Sequence, residues 1–296
     1  MTFGESVAVE RPPRTASERL TRSLTKAPIH IGLVIVALIW LLPTIGLLIT
    51  SFRPASEILS SGWWGIFGGR VNLTLDNYAE VLGSQGMLDS FINSVIITVP
   101  ATILPVGIAA LAAFGFAWVD FPLRDTIFLI VVGLLLVPLQ MTLIPLVEVF
   151  AALGIFGSFA GLWVAHTAFA LPFGIFLLRN FFITLPRDLI EAARIDGASS
   201  WNTFRTVVLP LSVPALASFA IFQFLWTWND LLMALVFAPR PSGLPMTTQV
   251  QSLLGTYGTE WHLLAAASFL IMVVPLVVFF SLQRYFVQGL LAGSVK

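Results

Sequence analysis

The sequence contains no cysteine and only two lysines, Lys26 and Lys296. Without cysteine there is no disulfide, no thiolate metal site and no cysteine nucleophile. A P-loop needs a lysine that follows a glycine-rich run and reaches the nucleotide phosphates. Lys26 follows Leu24-Thr25 and Lys296 follows Ser294-Val295. P-loop ATP hydrolysis within this chain is therefore excluded, and we expect the chain to bind no cofactor or metal of its own.

Charged residues are also scarce. They make up 10% of the 296 residues, while 57% are hydrophobic and the formal net charge is zero. A soluble domain carries about 25% charged residues, so this chain could not cover a soluble globule of its size. The zero net charge also gives no reason to expect a nucleic-acid partner.

The sequence contains none of the common catalytic patterns that we considered for an enzyme. Its three histidines, His30, His166 and His262, are far apart, and neither an H-E-x-x-H pattern nor a G-x-S-x-G elbow is present. A membrane-embedded enzyme would lack both a nucleophile and a metal cluster. We therefore expect a non-enzyme.

What the sequence has is long runs without Asp, Glu, Lys or Arg. A helix that crosses the hydrocarbon layer needs about 20 mostly apolar residues, and six runs are long enough. They are 27–52, 90–119, 126–147, 149–178, 206–229 and 261–283. The first exceeds the apolar region of a cleaved signal and no A-x-A-like site follows it, so we expect it to be retained. The predicted fold is an all-α membrane protein with six transmembrane helices.

Lysine and arginine predict the orientation. With the N-terminus in the cytoplasm, only Arg53, Arg70 and Arg240 lie outside, and the other twelve of the fifteen lie inside. The positive-inside rule favours this topology, in which both termini are cytoplasmic. We expect a cytoplasmic tail over residues 1–28, a six-helix domain over 29–286 and a second cytoplasmic tail over 287–296.

Residues 184–213, between the fourth and fifth runs, form an amphipathic cytoplasmic loop. Thr184 is a plausible N-cap. Glu191 can pair with Arg187 and Arg194 at helical spacing, and such pairs support a helix by ~0.2–0.5 kcal/mol each. Gly197 can end this helix in a left-handed cap. The pattern predicts a short helix followed by a sharp bend.

A second short helix is predicted after the bend, capped by Ser199 or Ser200 and followed by Pro210 at the entry to the fifth run. Ala192 and Ala193 would let another surface approach closely. From local chemistry alone, the loop is either a handle for a partner or an ordinary interfacial loop packed on its own bundle.

This loop resembles the EAA loop of ABC importer permeases. Glu191-Ala192-Ala193, Gly197 and Leu209-Pro210 match that family's spacing, and Val207 replaces its isoleucine. In the family the loop forms a coupling helix that sits in a cleft of a separate ATPase subunit. The resemblance implies that the coupling residues are Glu191, Ala192, Ala193, Asp196, Gly197, Leu209 and Pro210.

The likeness extends over most of the chain. Residues 226–230, Trp-Thr-Trp-Asn-Asp, resemble the signature of maltose-permease-like sugar permeases. Within that family, the chain resembles the α-glucoside permeases in particular. The C-terminal residues are similar to the family's C-terminus, which is implied to contact the ATPase pair. The implied contact residues are Gln288, Gly289, Gly293 and Lys296.

The resemblance also implies the type I ABC importer architecture and a set of partners. We expect a homologous sister permease in a heterodimer, two ATP-binding subunits that carry ATP and Mg, an extracytoplasmic sugar-binding protein and a carbohydrate substrate. The expected location is the bacterial cytoplasmic (inner) membrane.

Polar residues within the apolar runs are candidates for the translocation path or a gate. They are Asn93, Gln140, Thr142, Gln223, Asn229 and Asp230. Each could instead hold neighbouring helices together, worth ~0.6 kcal/mol. Asp230 is the best candidate because ionisable groups inside spans are costly and rare.

Two functions follow from these patterns. The first is a permease subunit that translocates a carbohydrate, an oligosaccharide or α-glucoside, by ATP-driven alternating access. The alternative is an ion-coupled secondary transporter without an ATPase, for which Asp230 and Glu148 would be the coupling sites. Trp63-Trp64 fits either the membrane interface or a partner surface.

Overall fold

A computed structural model describes residues 16–68, 72–84, 86–253 and 260–292, and these contain helices and turns but no β-strand. The first half of the chain holds α1 (Ala16–Ser51), α2 (Ala55–Ser60), a 3₁₀ turn (Trp63–Gly68), α3 (Asp76–Ser84), α4 (Met87–Trp118), α5 (Arg124–Gly133), a 3₁₀ turn (Leu134–Leu136) and α6 (Leu139–Ala152). The second half holds α7 (Phe159–Phe182), α8 (Arg187–Ile195), α9 (Ser200–Thr203), a π-helix (Phe204–Val208), α10 (Leu209–Leu211), α11 (Val213–Trp228), α12 (Leu232–Phe237), α13 (Met246–Ser252) and α14 (Trp261–Ala292).

Four helices are long and apolar enough to cross a membrane by themselves. They are Ala27–Ser51 within α1, α4, α7 and Trp261–Arg284 within α14. Two bent pairs satisfy the same criteria of length and composition, which gives six spans if each pair is counted once. The all-α membrane fold is thus confirmed.

The third predicted span is not one straight helix. Arg124–Leu136 and Leu139–Ala152 meet at an angle of 103°. The break falls at Val137 and Pro138, both with extended ψ angles. Proline disfavours helical geometry in the residue before it, which explains why an uninterrupted apolar run does not form one helix here.

The fourth predicted span begins later than the run of uncharged residues. Its helix starts at Phe159, because Gly154 and Gly157 adopt positive φ angles of 70° and 68° and form a turn. Ser158 then caps α7 by accepting a hydrogen bond from the Gly161 amide at 3.1 Å. Counting charges does not detect an uncharged turn.

Both domain boundaries also differ from the helix ends. α1 begins at Ala16, within the predicted tail of residues 1–28, and α14 continues to Ala292, beyond residue 286. Helix geometry extends past the membrane-spanning residues at both ends.

The centre of the bundle is formed by α4 and α7. Small buried residues on α4, Ala109, Ala110 and Ala113, share one apolar cluster with Ile175 and Leu178 of α7. Gly174 permits this approach, since an added Cβ would lie 3.0 Å from the Ala109 methyl group. α11 packs on both of these helices, and α14 packs on α11.

The connection between α1 and α4, residues 52–86 (the first connection), is held by buried polar groups. Arg53 is 4% exposed, and its guanidinium donates to the carbonyl oxygens of Ser61 at 3.2 Å and Gly62 at 2.6 Å. The Asn77 amide donates to the carbonyl oxygens of Ser51 and Arg53, each at 2.9 Å. These bonds fold the connection back onto the end of α1.

Candidate docking site and translocation path

The amphipathic loop forms two helical segments joined at a bend, here called the elbow (residues 184–211). The first segment, α8, starts at Arg187 after Pro186, and Thr184 is not its cap. The Thr184 hydroxyl instead donates to the Phe181 carbonyl at 2.7 Å and so completes the end of α7. The N-cap prediction for Thr184 is wrong because the preceding helix runs close enough to bond its hydroxyl first.

The predicted bend at Gly197 is confirmed. Gly197 has a φ of 78°. Its amide donates to the Arg194 carbonyl at 3.0 Å, and the Ala198 amide donates to the Ala193 carbonyl at 2.9 Å. This pair of bonds is the Schellman motif, which fixes the direction in which the chain leaves α8.

The second segment is capped by Ser199, whose hydroxyl oxygen accepts a hydrogen bond from the Asn202 amide at 3.3 Å. The Phe204 ring lies 5.2 Å from that of Phe114 on α4, centroid to centroid. A 76° bend then separates Ser200–Leu211 from α11. The elbow is therefore attached to the bundle through the second segment.

The first segment is attached at two points. Ile190 is fully buried in the apolar cluster shared with α4 and α7. Arg194 donates to the Trp118 carbonyl at the end of α4, at 2.7 Å. The predicted ion pairs of Glu191 with Arg187 and Arg194 are wrong: among the described residues neither arginine comes within 4.0 Å of that carboxylate.

Several apolar side chains of the elbow are exposed. Ile195 is 85% exposed, and Leu189 and Trp201 are exposed as well. Of the residues predicted to couple to an ATPase, two are half-buried, Ala193 and Leu209. The others are exposed, namely Glu191, Ala192, Asp196, Gly197 and Pro210. Carboxylates and apolar side chains thus share one rigid and unpacked surface.

Two of the six predicted path residues hold helices or loops together. The Asn93 amide donates to the carbonyl oxygens of Ser242 at 2.8 Å and Leu244 at 3.1 Å. Gln223 is 3% exposed, and its amide donates to the Ala101 carbonyl on α4 at 3.1 Å. The Gln223 bond is an interhelical contact, the alternative that the sequence left open, and the Asn93 bonds hold the loop before α13 onto α4.

Three others bond within their own helix or lie bare. The Thr142 hydroxyl donates to the Leu139 carbonyl at 2.7 Å, and the Asn229 amide donates to the Leu225 carbonyl at 2.8 Å. Gln140 and Asn229 are exposed. Gln140 sits beside the 103° break, where an exposed amide can face a neighbouring chain or an aqueous path.

Asp230 has a partner that the sequence did not reveal. His166 Nε2 on α7 lies 3.9 Å from Asp230 Oδ2, and the Ala234 amide donates to the same oxygen at 3.2 Å. Thr247 donates to the Asp230 carbonyl at 2.8 Å. The two side chains are 64 positions apart in the chain, and nothing in their local sequence predicts the contact.

His166 also lines a cleft of about 240 Å³. Its polar wall is His166 and Gln223, and aromatic rings form much of the remainder. The aromatic members are Phe169, Phe173, Phe222 and Trp226. A mainly apolar cleft with a few polar groups is the usual form of a small-molecule site.

The predicted C-terminal contact lies at the end of α14. Gln288 and Gly289 are part of this helix, whereas Gly293 and Lys296 lie outside the described residues. The described part of the chain also contains no group of three His, Asp or Glu residues that could hold a metal ion.

Comparison with known proteins places this geometry in a family. Residues 103–291 match the family model described as "Binding-protein-dependent transport system inner membrane component". The "Osmoprotective compounds uptake permease protein GgtD" of Synechocystis sp. is 53% identical over 98% of this chain and 99% of its own length. The "Alpha-glucoside transport system permease protein AglG" of Rhizobium meliloti is 54% identical over 75% of this chain and 60% of its own length.

A solved structure shows the same fold at low identity. A chain from a bacterial ABC transporter involved in the import of the acidic polysaccharide alginate superposes with a TM-score of 0.74 and 21% identity, covering 93% of this chain and all of that chain. The sequence resemblance and the predicted transport role are thereby confirmed. The chain belongs to the family of binding-protein-dependent transport system inner membrane components and is a permease subunit of an ABC importer.

Proposed function

We propose that this permease subunit imports a carbohydrate, an oligosaccharide or α-glucoside, and that its elbow receives the motion of a separate ATPase. The exposed, rigid surface around Ile195 is the observation that carries the proposal. An apolar side chain left 85% exposed, next to carboxylates that make no ion pair within the described part of the chain, fits a protein partner better than lipid, because burying charge in a bilayer is costly.

The elbow is built to transmit force. Its bend is fixed by the two Schellman hydrogen bonds at Gly197, and its far end continues through Phe204 into the apolar cluster of α4 and α7. A displacement of α8 would therefore move α4, α7 and α11 together. Alternating access needs such a mechanical connection between the nucleotide-binding subunits and the bundle.

The absence of cysteine allows a direct test of docking. Ile195→Cys should form a cross-link to a cysteine placed in the cleft of the ATPase subunit, and the yield should change when ATP is added. Leu73→Cys, an exposed residue in the first connection, is the matched control and should form none. If a bulky maleimide labels position 195 equally well in the free chain and in the assembled transporter, the elbow does not dock.

The carbohydrate substrate is supported by the names of relatives. The AglG protein is an alpha-glucoside transport permease. The arabinooligosaccharide permease AraQ of Halalkalibacterium halodurans is 31% identical over 94% of the present chain. The cleft near Gln223 and His166, with its aromatic lining, is the candidate wall of the sugar path. Further candidates for the path or gate are Gln140, Thr142, Asn229 and Asp230. Asn93 also remains a candidate, although its amide already donates to two backbone carbonyls.

The remaining assembly follows the same proposal. A homologous sister permease would complete the membrane channel, and two ATP-binding subunits would hold ATP and Mg while this chain binds neither. An extracytoplasmic sugar-binding protein would deliver the substrate. Both termini would face the cytoplasm of a bacterial cell, as the lysine and arginine distribution predicts. Near the C-terminus, the residues in contact with the ATPase pair would be Gln288, Gly289, Gly293 and Lys296.

Reconstitution separates this function from ion-coupled transport. Proteoliposomes with the whole transporter and binding protein should accumulate the sugar only when ATP is inside. Proteoliposomes with this chain alone should show none under an imposed proton or sodium gradient. Uptake by this chain alone without ATP would overturn the importer mechanism.

A further inference from the structure

The first connection contains an aromatic 3₁₀ turn, Trp63–Gly68, that folds back against the side of α1. The indole of Trp63 covers Gly46, where an added Cβ would lie 2.8 Å from Nε1. Gly46 is buried, whereas Ile45 and Leu47 on either side are exposed. The turn therefore contacts α1 along its length and not beyond its end.

The position of this contact defines its depth in the bilayer. The apolar part of α1 is 25 residues long, about 37 Å at 1.5 Å per residue, against about 30 Å of hydrocarbon. If the helix is centred, each end extends about 4 Å beyond the hydrocarbon. Gly46 lies five residues before Ser51, about 7 Å back along the helix, and so within about 4 Å of the hydrocarbon boundary.

The exposed side of the turn is aromatic. Trp64 is 63% exposed and Phe67 is 79% exposed. Their ring centroids lie 6.0 Å and 6.4 Å from that of Trp63, both edge-on. At this depth the medium outside the bundle is the zone between headgroups and acyl chains, where Trp side chains are favoured because they have an apolar ring and a polar N–H.

The orientation of the turn is fixed by the body of the connection. Arg53 donates to the Gly62 carbonyl at 2.6 Å and to the Ser61 hydroxyl at 2.9 Å, immediately before the turn begins. By contrast, very few residues in the apolar part of α1 are buried within this chain. Within this chain α1 packs on α14 and on the aromatic turn, and most of its remaining apolar surface is exposed.

We propose that Trp63, Trp64 and Phe67 form a lipid anchor, an interfacial contact with the bilayer that sets the depth of α1. The depth of the turn, near the hydrocarbon boundary, identifies lipid as its occupant. The inference requires only that α1 crosses the bilayer. It depends neither on the substrate nor on docking of the elbow, so its failure would leave the proposed function untouched.

Site-directed spin labelling tests the anchor in the assembled transporter in nanodiscs of phosphatidylethanolamine and phosphatidylglycerol. Single cysteines at Phe67, Trp40 and Asp76 would carry a nitroxide, and relaxation by oxygen would be compared with relaxation by a water-soluble nickel chelate. Trp40, exposed in the middle of the apolar part of α1, is the deep reference, and exposed Asp76 at the start of α3 is the aqueous reference. We expect the Phe67 label to favour oxygen and to report a depth between the two.

A second variant links the depth to the packing on Gly46. Gly46→Leu should displace the Trp63 ring and move the Phe67 label towards the aqueous reference, while the Trp40 label remains deep. The proposal is overturned if the Phe67 label is as accessible to the nickel chelate as the Asp76 label. It is also overturned if oxygen is excluded from position 67 only after a binding protein is added, since the surface would then be a protein contact.

Discussion

The first connection and the elbow both join membrane-spanning helices, but they are stabilised in opposite ways. In the first connection a buried guanidinium and a buried amide satisfy backbone carbonyls, so the polar groups of Arg53 and Asn77 face inward. In the elbow the rigidity comes from backbone bonds at Gly197 and from the apolar anchors Ile190 and Phe204. Its charged side chains face outward.

This difference shows which of the two surfaces is available to a partner. Side chains that are already bonded to their own backbone cannot recognise another protein without breaking those bonds. The exposed Glu191 and Asp196 have no such commitment among the described residues. The comparison predicts that substitutions in the first connection reduce stability, whereas those on the elbow surface reduce coupling.

The largest expected effect on stability is that of Arg53→Leu. The substitution leaves the carbonyls of Ser61 and Gly62 without their donor, and hydrogen bonds to charged groups contribute ~1.5–3 kcal/mol. We expect the free energy of unfolding, measured by SDS titration, to fall by about 3 kcal/mol. Arg205→Leu, at an exposed arginine of the elbow, is the control and should change it little. Equal losses for the two variants would contradict the role of the buried guanidinium.

Gly197→Val should have the next largest effect. A non-glycine residue in the left-handed region costs roughly 1–2 kcal/mol, and nothing lies within 4 Å of the added Cβ, so the cost is conformational and not steric. We expect weaker co-purification of the ATPase and at least tenfold slower transport. Gly197→Asn is the matched control because asparagine tolerates this conformation. If valine and asparagine behave alike, the backbone conformation at the bend does not matter for docking.

Ser199→Ala removes the cap of the second elbow segment. Loss of an N-cap costs about 0.5–2 kcal/mol, and the 3.3 Å bond to the Asn202 amide favours the lower end of that range. Hydrogen exchange of the amides in residues 200–203 should speed up. Ser200→Ala tests the neighbouring hydroxyl, which does not cap this helix, and should leave the exchange rates unchanged. If Ser200→Ala speeds up exchange and Ser199→Ala does not, Ser200 is the cap.

Glu191→Gln should have almost no effect on stability, since its side chain is exposed and makes no ion pair among the described residues. Sugar-stimulated ATP hydrolysis in the assembled transporter should nevertheless fall several-fold if Glu191 contacts the ATPase. Asp188→Asn, at another exposed carboxylate, in the first turn of α8, serves as the control. Unchanged hydrolysis with Glu191→Gln would remove this residue from the docking surface.

Much of the fold could be predicted because bilayer insertion depends on local composition. The bend at Gly197 and the cap at Ser199 were also predictable, since both depend on residues within one helical turn. Pro138 predicts a kink in the third span, but a proline does not by itself give the 103° angle of the break there. The turn at Gly154–Gly157 was missed because a count of charges contains no information on backbone direction. Thr184 was misassigned because two neighbouring helices competed for one hydroxyl.

By itself the sequence determined that the chain lies in a membrane and that no P-loop is present. It also located the elbow, because charge, apolar length and turn residues act over short distances. Only the tertiary structure decided that Gln223 bonds to Ala101, that His166 meets Asp230 and that Ile195 stays bare while Ile190 is buried. These contacts depend on how α4, α7 and α11 pack, and the partners are separated along the chain by too many residues for any local pattern to encode them.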